Sequence, residues 1–366
     1  MKLFICGDIC IKDAAYPHFA SKDARRAFSD VLDVFGQADR VIVNLECAIT
    51  ESENAIKKCG PNLKAPLATA DTLKSAGVTD CMLSNNHTFD FGKEGFYDTV
   101  RELDRVGINH TGWGENYADS RRDMIIEENG LKISIINVCE HEYSYALENR
   151  VGTRPFDEFE TMHDIREAKK VSDKVIVIYH GAKEHCRYPS PRLVKACHEM
   201  VECGADAIFG QHSHCIGIYE EYKGAHILYG QGNFHFVGYF DKDDAEEWNE
   251  GFGVMLDVTK DNVGIDFVAV KGRENGSISL ATDEEKAKVM SDFEARNATM
   301  LDGTWRDGWL EFVRNNEQKY MHVLGFDEGR LSEKYYQRIA HYIDCEAHRD
   351  VVMEIFKTYN HTNEQD

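Results

Sequence analysis

Short apolar runs that stop at a polar residue are the feature that most limits what this chain can fold into. The runs cover residues 3–6, 40–45, 81–83, 174–179 and 205–209. The run at residues 40–45 is β-branched, and all of the runs are too short for helices, so they predict buried strands. Amphipathic segments lie between several of them. This alternation predicts an α/β fold.

The segments between the strands have helical spacing or hairpin spacing. Helices are predicted at residues 23–35, 69–76 and 193–203, and around an apolar face formed by Phe96, Val100, Leu103 and Val106. Glycine follows several of these segments, as expected at a helix end. Hairpins are predicted where residues 124–127 precede 131–138, where 219–224 precede 226–229, and where 254–258 precede 263–270.

The pattern changes near residue 282, where the strands stop. Four segments with helical spacing follow, at residues 284–296, 305–316, 333–345 and 348–358. We therefore predict an α/β domain at residues 1–280 and a helical C-terminal appendage at residues 281–366. The appendage carries no evident chemistry, but it could cover the site, bind a partner or mediate oligomerisation.

The charge of the chain limits its partners. Its 366 residues include 42 basic and 64 acidic side chains, which give a net charge of −22. Such a surface disfavours binding to nucleic acid and to anionic membranes. An anionic small molecule or polymer would need local cations, and a bound metal ion supplies them. The 11 cysteines include no CxxC pair, and no signal peptide or transmembrane stretch is evident, so free thiols and a cytoplasmic location are expected.

Potential metal ligands follow the predicted strands one after another. They are Asp8, Glu46, Asn86, His180, His212 and His214. Taken singly, a Gly-Asp pair is usually a turn, a lone histidine is usually structural, and the sequence Asn-Asn-His can form an Asx turn. Together they would meet at the strand ends, where α/β folds form their sites. Imidazole, carboxylate and amide groups suit two divalent ions, with Mn, Zn or Fe as candidates and Glu46 as a bridging carboxylate.

These residues also carry a resemblance to a known family. The motifs are GD at residues 7–8, NLE at 44–46, NNHTFDFG at 85–92, HGAKE at 180–184, GQHSH at 210–214 and YGQGNF at 229–234. They resemble the signature series of the CapA poly-γ-glutamate capsule-biosynthesis family, which is related to calcineurin-like metallophosphoesterases. The resemblance spans residue 1 to about 270. It implies a four-layer α-β-β-α sandwich, with two mixed sheets face to face and helices outside.

The resemblance also implies roles for single residues. Asp8 and His214 would bind one ion, Asn86, His180 and His212 the other, and Glu46 would bridge them in place of the usual aspartate. His87 would act as the general acid or stabilise charge on the leaving oxygen. Asp90 would orient His87 or, alternatively, cap a helix. Asn44, Glu184 and Asn233 are candidates for contacts to the substrate or to the ligands, although Glu184 could equally be a solvated charge.

One position departs from the phosphoesterase pattern. Cys10 stands where the GDxH motif has a histidine ligand. Either the thiolate substitutes, or water does, or the first metal site is weak; we expect water or a weak site, because a cysteine beside a strand end is usually buried. Further along, His235, Phe236, Tyr239 and Phe240 could form an aromatic wall near the site or pack in the core.

The residues and the resemblance together predict a dinuclear-metal-dependent hydrolase. The favoured reaction is hydrolysis of a phosphoester by metal-activated water. Amide hydrolysis on a polymer such as poly-γ-glutamate is an alternative, although the acidic surface disfavours a polyanion. A third alternative is a non-catalytic accessory protein of capsule or polysaccharide biosynthesis, which the loss of a ligand at Cys10 would favour.

Overall fold

The computed structural model describes residues 1–242, 245–324 and 333–360. In these ranges the strands are β1 (Lys2–Ile9), β2 (Arg40–Leu45), β3 (Ala48–Ile49), β4 (Lys64–Ala65), β5 (Asp80–Met82), β6 (Asn109–Thr111), β7 (Trp113–Gly114), β8 (Met124–Glu128), β9 (Leu131–Cys139), β10 (Gly152–Thr153), β11 (Lys174–His180), β12 (Ala207–Gln211), β13 (Tyr219–Tyr222), β14 (Ala225–Leu228), β15 (Asn233–His235), β16 (Glu250–Val258), β17 (Val263–Gly272) and β18 (Ile278–Leu280).

The helices surround these strands and continue beyond them. They are α1 (Tyr16–Ala20), α2 (Ala24–Phe28), α3 (Val31–Phe35), α4 (Thr69–Ala76), α5 (Gly92–Val106), α6 (Tyr117–Ser120), α7 (Glu158–Val171), α8 (Pro191–Cys203), α9 (Ala245–Trp248), α10 (Asp283–Asp302), α11 (Trp305–Leu324), α12 (Glu333–Asp344) and α13 (Glu346–Asn360).

Two mixed sheets hold most of the strands. The first has the order β18-β17-β16-β1-β2-β5-β6, and β15 also pairs with β1. The second has the order β13-β14-β12-β11-β9-β8. In the first sheet β1, β2, β5 and β6 are parallel. In the second, β9, β11, β12 and β14 are parallel, and the antiparallel strands β8 and β13 form the edges.

Alternation of side chains along the strands stacks the sheets into four layers. Ile5 of the first sheet and Ile135 of the second lie in one buried cluster, so these faces pack together. Phe4 faces the other way and joins the cluster with the first group of helices. Val177 likewise joins the cluster that contains Leu193 of α8. Because neighbouring residues of a strand point to opposite faces, each strand contributes to two cores. The predicted α-β-β-α sandwich is confirmed.

The structure corrects one local prediction and adds one element. Residues 23–35 are not one helix: α2 and α3 are separated at Ser29, whose φ of 46° cannot continue a right-handed helix. Helix α7 was not predicted. Its start carries a recognisable signal, because the Asp157 side chain accepts hydrogen bonds from the backbone of Phe159 and Glu160.

The predicted helical C-terminal region is present, in α10 to α13. Helix α10 places Val289 and Phe293 in the cluster between the two sheets. Beyond it, Trp309, Tyr320 and Val351 belong to a separate apolar cluster. The division of the chain into two domains at residue 280 remains a prediction, and residues 325–332 and 361–366 of the predicted appendage lie outside the described part.

Within the described ranges, the longest helices are too polar to serve as membrane-spanning segments.

Candidate metal centre

The site lies where parallel strands of both sheets end. In the second sheet the last residue of β11, His180, pairs in register with Gln211 of β12. In the first sheet Asp8 of β1 pairs with Asn44 of β2 and with Asn233 of β15. Because parallel strands present their carboxyl ends at the same edge, the two sheets bring their polar ends to one crevice.

Asp8 is held by neighbours from three different segments. It lies inside β1, where the sequence placed it after the strand. Its Oδ1 accepts a hydrogen bond from Asn44 Nδ2 at 2.7 Å, and its Oδ2 accepts one from the His212 backbone N–H at 3.0 Å. Burial would raise the pKa of Asp8, but contacts with His180, then His214 and Asn44, lower it to about 2. The carboxylate is therefore ionised and fixed in place.

Glu46 is a buried carboxylate without hydrogen-bond donors. It directly follows β2 and has no exposed surface. Within the described residues, neither of its oxygens accepts a hydrogen bond. It forms a group with His212 and His214 in which the potential ligand atoms lie within 4.8 Å of one another. A buried carboxylate costs several kcal/mol unless a positive charge faces it. The arrangement therefore fits a bound cation.

The surroundings of His180 are crowded with atoms that could bind metal. Its Nε2 lies 3.0 Å from Asn86 Oδ1, 3.1 Å from His212 Nδ1 and 3.4 Å from Glu46 Oε1. One ring N–H cannot serve three such partners, whereas a cation among them could. Burial would lower the pKa of His180, but Glu46 and then Asp8 raise it to about 9. The crowding of His180 Nε2 by acceptor atoms and the raised pKa of its ring both reflect an excess of negative charge around this residue.

His212 and His214 take backbone conformations that non-glycine residues rarely adopt. Their φ angles are 75° and 55°, a conformation that costs on the order of 1–3 kcal/mol per residue and is typical of functional sites. His214 Nδ1 lies 2.9 Å from Asn233 Oδ1 and 3.7 Å from Asp8 Oδ2. Asn233 in turn donates to the Trp248 carbonyl at 2.9 Å. Asn233 therefore fixes the His214 ring.

The Asn-Asn-His segment forms a turn that presents two of the predicted residues. Asn85 Oδ1 accepts from the backbone N–H groups of His87 and Thr88, at 3.1 and 3.0 Å. Asn85 Nδ2 donates to Asn44 Oδ1 at 3.0 Å. The Asx turn and the functional role are thus not alternatives, because the turn directs Asn86 toward His180.

His87 lies beside a carboxylate and an ammonium group. Its Nδ1 is 2.6 Å from Asp90 Oδ2 and 3.0 Å from Lys58 Nζ, and Lys58 also forms an ion pair with Asp90. The helix-cap alternative for Asp90 is wrong, since Phe91 is the N-cap residue of α5 and Asp90 accepts from the Leu63 backbone at 2.6 Å instead. Nothing in the sequence indicated Lys58.

Two glutamates after β9 also reach the site. Glu140 Oε1 lies 2.6 Å from His212 Nε2, and Glu142 Oε2 accepts from Asn86 Nδ2 at 2.7 Å. Burial would lower the pKa of His212, but Glu140 raises it well above its usual range. Sequence analysis missed both glutamates because β9 was interpreted only as part of a hairpin. The rule that polar residues follow parallel strands would have found them.

Cys10 is a buried member of the apolar cluster beneath the site. Burial, and then the neighbouring Cys47, raise the pKa of its thiol well above the usual value. Among the described residues, the group of potential ligand atoms around Glu46 contains His212 and His214 but not Cys10. The geometry therefore favours the expectation that Cys10 packs and does not replace the histidine.

Two cavities open on either side of His87 and Glu184. The first has a volume of ≈ 400 Å³, and the C-terminal helices form part of its wall. Its cationic and imidazole lining consists of Lys58, His87, Lys319, His322, Arg338, His341 and His348. The second, of ≈ 330 Å³, is lined by the aromatic residues Phe236, Tyr239 and Trp248. Glu184 is 37% exposed and lies 3.5 Å from Lys183.

Three of the four residues after the GNF segment lie in one of the two suggested locations, and Phe240 lies in neither. Phe236 and Tyr239 line the second cavity. His235 is instead buried against Phe19 and Phe28, and Phe240 is exposed.

Comparison with known proteins gives matches over the same region. A family model described as "Bacterial capsule synthesis protein PGA_cap" matches residues 2–237. Capsule biosynthesis protein CapA of Bacillus anthracis is 29% identical over 218 residues, which are 57% of this chain and 53% of that protein. PGA biosynthesis protein CapA of Bacillus subtilis (strain 168) is 29% identical over 236 residues, which are 63% of this chain and 62% of that protein.

The chain thus spans less than two thirds of the length of these curated relatives. A solved structure of a hypothetical protein from Thermus thermophilus matches with a TM-score of 0.46 and 15% identity, covering 74% of this chain and 98% of that one. The family model covers more than half of the 366 residues and includes the candidate metal centre. The chain belongs to the bacterial capsule synthesis protein PGA_cap family.

Proposed function

We propose that this protein is a metal-dependent hydrolase that cleaves a phosphoester in an anionic substrate. The observation that carries the proposal is Glu46, a fully buried carboxylate that accepts no hydrogen bond from the described residues and faces several imidazoles. Such an arrangement is stable only with positive charge at its centre. Membership in a capsule synthesis family supports a role in making or processing a capsule polymer.

Asp8, Glu46 and His214 would hold one divalent ion, and Glu46, Asn86, His180 and His212 a second. Bound there, such ions would lower the pKa of water and polarise the ester oxygen. The side chains contribute orientation: Asn44 holds Asp8, and Asn233 holds His214. The candidate ions are Mn, Zn or Fe, because the proposed ligands are a mixture of imidazole, carboxylate and amide groups.

His87 is the group proposed to donate a proton to the leaving oxygen. Its Nδ1 faces Asp90, so the proton available to a substrate is the one on Nε2. Asp90 fixes the orientation of the ring, and Lys58 forms an ion pair with the same carboxylate. His87 also lines both cavities, which would place it beside a substrate that enters from either side.

The lining of the first cavity suggests an anionic substrate. Lys319 and Arg338 lie at its edge, and within the described residues neither forms an ion pair. In a chain with a net charge of −22, unpaired cations beside the site would attract an anionic group locally. A cationic lining would also suit a chain of glutamates, which supports a second candidate, hydrolysis of γ-glutamyl amide bonds. The name of the Bacillus subtilis relative, a PGA biosynthesis protein, supports the same candidate.

A substrate comparison with the whole purified chain tests both candidates. Chelator-treated protein is supplied with Mn, Zn or Fe and assayed on a panel of phosphomonoesters and phosphodiesters, and separately on γ-linked glutamate oligomers. We expect phosphate or alcohol release that requires metal and is lost in Glu46→Gln. Glu250→Gln is a matched control, since Glu250 is buried but paired with Lys271. Metal-loaded protein that cleaves only the glutamate oligomers would replace the first proposal with the second, and metal-loaded protein that cleaves neither would refute both.

A further inference from the structure

We propose that Glu142, His341, Cys345 and His348 form a further cation site, here called the latch site, that fastens the C-terminal helices to the α/β core. It adjoins the centre around Glu46, because Glu142 also accepts a hydrogen bond from Asn86 and forms a group of potential ligands with Glu140 and His212. Three of its four residues belong to the C-terminal region, outside the part of the chain that matches the family model. The proposal concerns metal binding alone and does not depend on hydrolysis.

The spacing of the three C-terminal residues brings them together. His341 lies on α12, Cys345 at the junction, and His348 on α13, at intervals of four and three residues. The two imidazole rings are 4.4 Å apart between centroids. Glu142 approaches from the loop after β9. Its Oε1 lies 3.5 Å from His341 Nε2 and 4.0 Å from His348 Nε2.

These atoms are close enough to share an ion. The ligand atoms of Glu142, Cys345 and His348 lie within 4.8 Å of one another, and all three residues are buried. Within the described residues, no hydrogen bond joins Glu142 to either histidine, although their nearest atoms face each other. Nδ1 of His341 is buried and has no hydrogen-bond partner among the same residues. Glu142 Oε1 and the Nε2 atoms of His341 and His348 thus face one another at distances that leave room for a cation between them.

The outer contacts of His348 and Glu142 match those of metal-bound side chains. His348 Nδ1 lies 2.7 Å from the Tyr320 hydroxyl, which leaves Nε2 directed toward Glu142. The second oxygen of Glu142 is occupied by the Asn86 amide. Metal-binding histidines usually have such a partner on the other ring nitrogen, which fixes the ring. The latch site is therefore already oriented.

The ligand chemistry favours zinc. A thiolate, two imidazoles and one carboxylate make up a four-ligand set of the kind that Zn²⁺ binds tetrahedrally. Cys345 Sγ at present donates to Glu140 Oε2 at 3.2 Å. On binding, the thiol proton passes to solvent and the sulfur becomes a thiolate ligand.

The experiment measures zinc on the full chain. Metal-free protein is loaded with excess Zn²⁺, desalted, and its zinc content is measured for wild type, Cys345→Ser and His348→Gln. Cys186→Ser is the matched control, because Cys186 is a buried thiol of the C-terminal cluster that donates to the Tyr188 carbonyl instead. We expect both latch variants to lose about one zinc per chain, while the control keeps the wild-type content.

Cobalt supplies a second measurement that identifies the sulfur ligand. Co²⁺-loaded wild type and Cys186→Ser should show a thiolate-to-cobalt charge-transfer band that is missing in Cys345→Ser. Hydrogen exchange of residues 333–360 should also be slower with Zn²⁺ in wild type and in Cys186→Ser, but not in the two latch variants. Equal zinc content in all folded variants, or a cobalt band that survives in Cys345→Ser, overturns the proposal. If Cys345→Ser does not fold, the zinc content of His348→Gln decides. Loss of hydrolysis in any variant has no bearing on this result.

Discussion

Replacement of Glu46 by glutamine tests the charge argument for the metal centre most directly. Glutamine keeps the size of the side chain and removes its charge. In wild type, an ion at 100 times its dissociation constant would stabilise the fold by about 2.7 kcal/mol. At roughly 2 °C per kcal/mol for a chain of this size, the melting temperature should rise by about 5 °C on addition of metal. Glu46→Gln should lose most of this rise, because Glu46 belongs to both proposed ligand sets.

The same variant should behave differently without metal. Asp8, Glu46, Glu140 and Glu142 place four buried carboxylates within one region. Removal of one of them reduces mutual repulsion, but it also removes the contact of Glu46 with His180. Because the two effects oppose each other, in chelator the variant should melt within about 2 °C of wild type. The control Glu250→Gln should instead melt lower under both conditions, because it removes the ion pairs that a nearly buried carboxylate forms with Lys271 and Arg187.

The assay is thermal unfolding of both variants and wild type, in chelator and with added Mn²⁺ or Zn²⁺, together with metal analysis of each sample. The reasoning would be refuted by a metal-dependent rise in Glu46→Gln equal to that of wild type. It would also be refuted if Glu46→Gln lost several degrees in chelator, since the carboxylate would then be stabilised by protein groups alone.

Three further predictions use other parts of the structure. His87→Gln should lower kcat by about 10²-fold or more with metal content unchanged, as measured by steady-state kinetics and metal analysis, because it removes only the proposed proton donor. Gly112→Ala should destabilise the fold by about 3 kcal/mol or more in denaturant titration, since its φ is +91° and an added Cβ would lie 2.1 Å from Asn137 Oδ1; an unchanged midpoint would contradict the packing. The double variant Lys319→Ala/Arg338→Ala should raise KM for anionic substrates by about tenfold, the equivalent of 1.4 kcal/mol, with kcat nearly unchanged. A KM insensitive to this change would exclude the first cavity as the substrate site.

Much of the site could be predicted from the sequence because its residues follow strands that local periodicity reveals. Asp8, Glu46, Asn86, His180, His212 and His214 were each indicated by a buried apolar run, and the structure brings them to one crevice. The α-β-β-α layering was implied by family resemblance and follows physically from strands that are apolar on both faces. Those strands could be identified without knowing their order.

Only the tertiary structure decided what surrounds these residues. Lys58 comes from an irregular segment with no periodic pattern, yet its ammonium group is buried against Asp90. Cys345 contacts Glu140 across 205 positions of the chain, and His341 meets Glu142 in the same way. The sequence indicated helices in the C-terminal region but no chemistry. Helical spacing determines which residues of a helix share a face. The surface against which that face packs depends on how whole elements dock, and the local sequence pattern does not encode this docking.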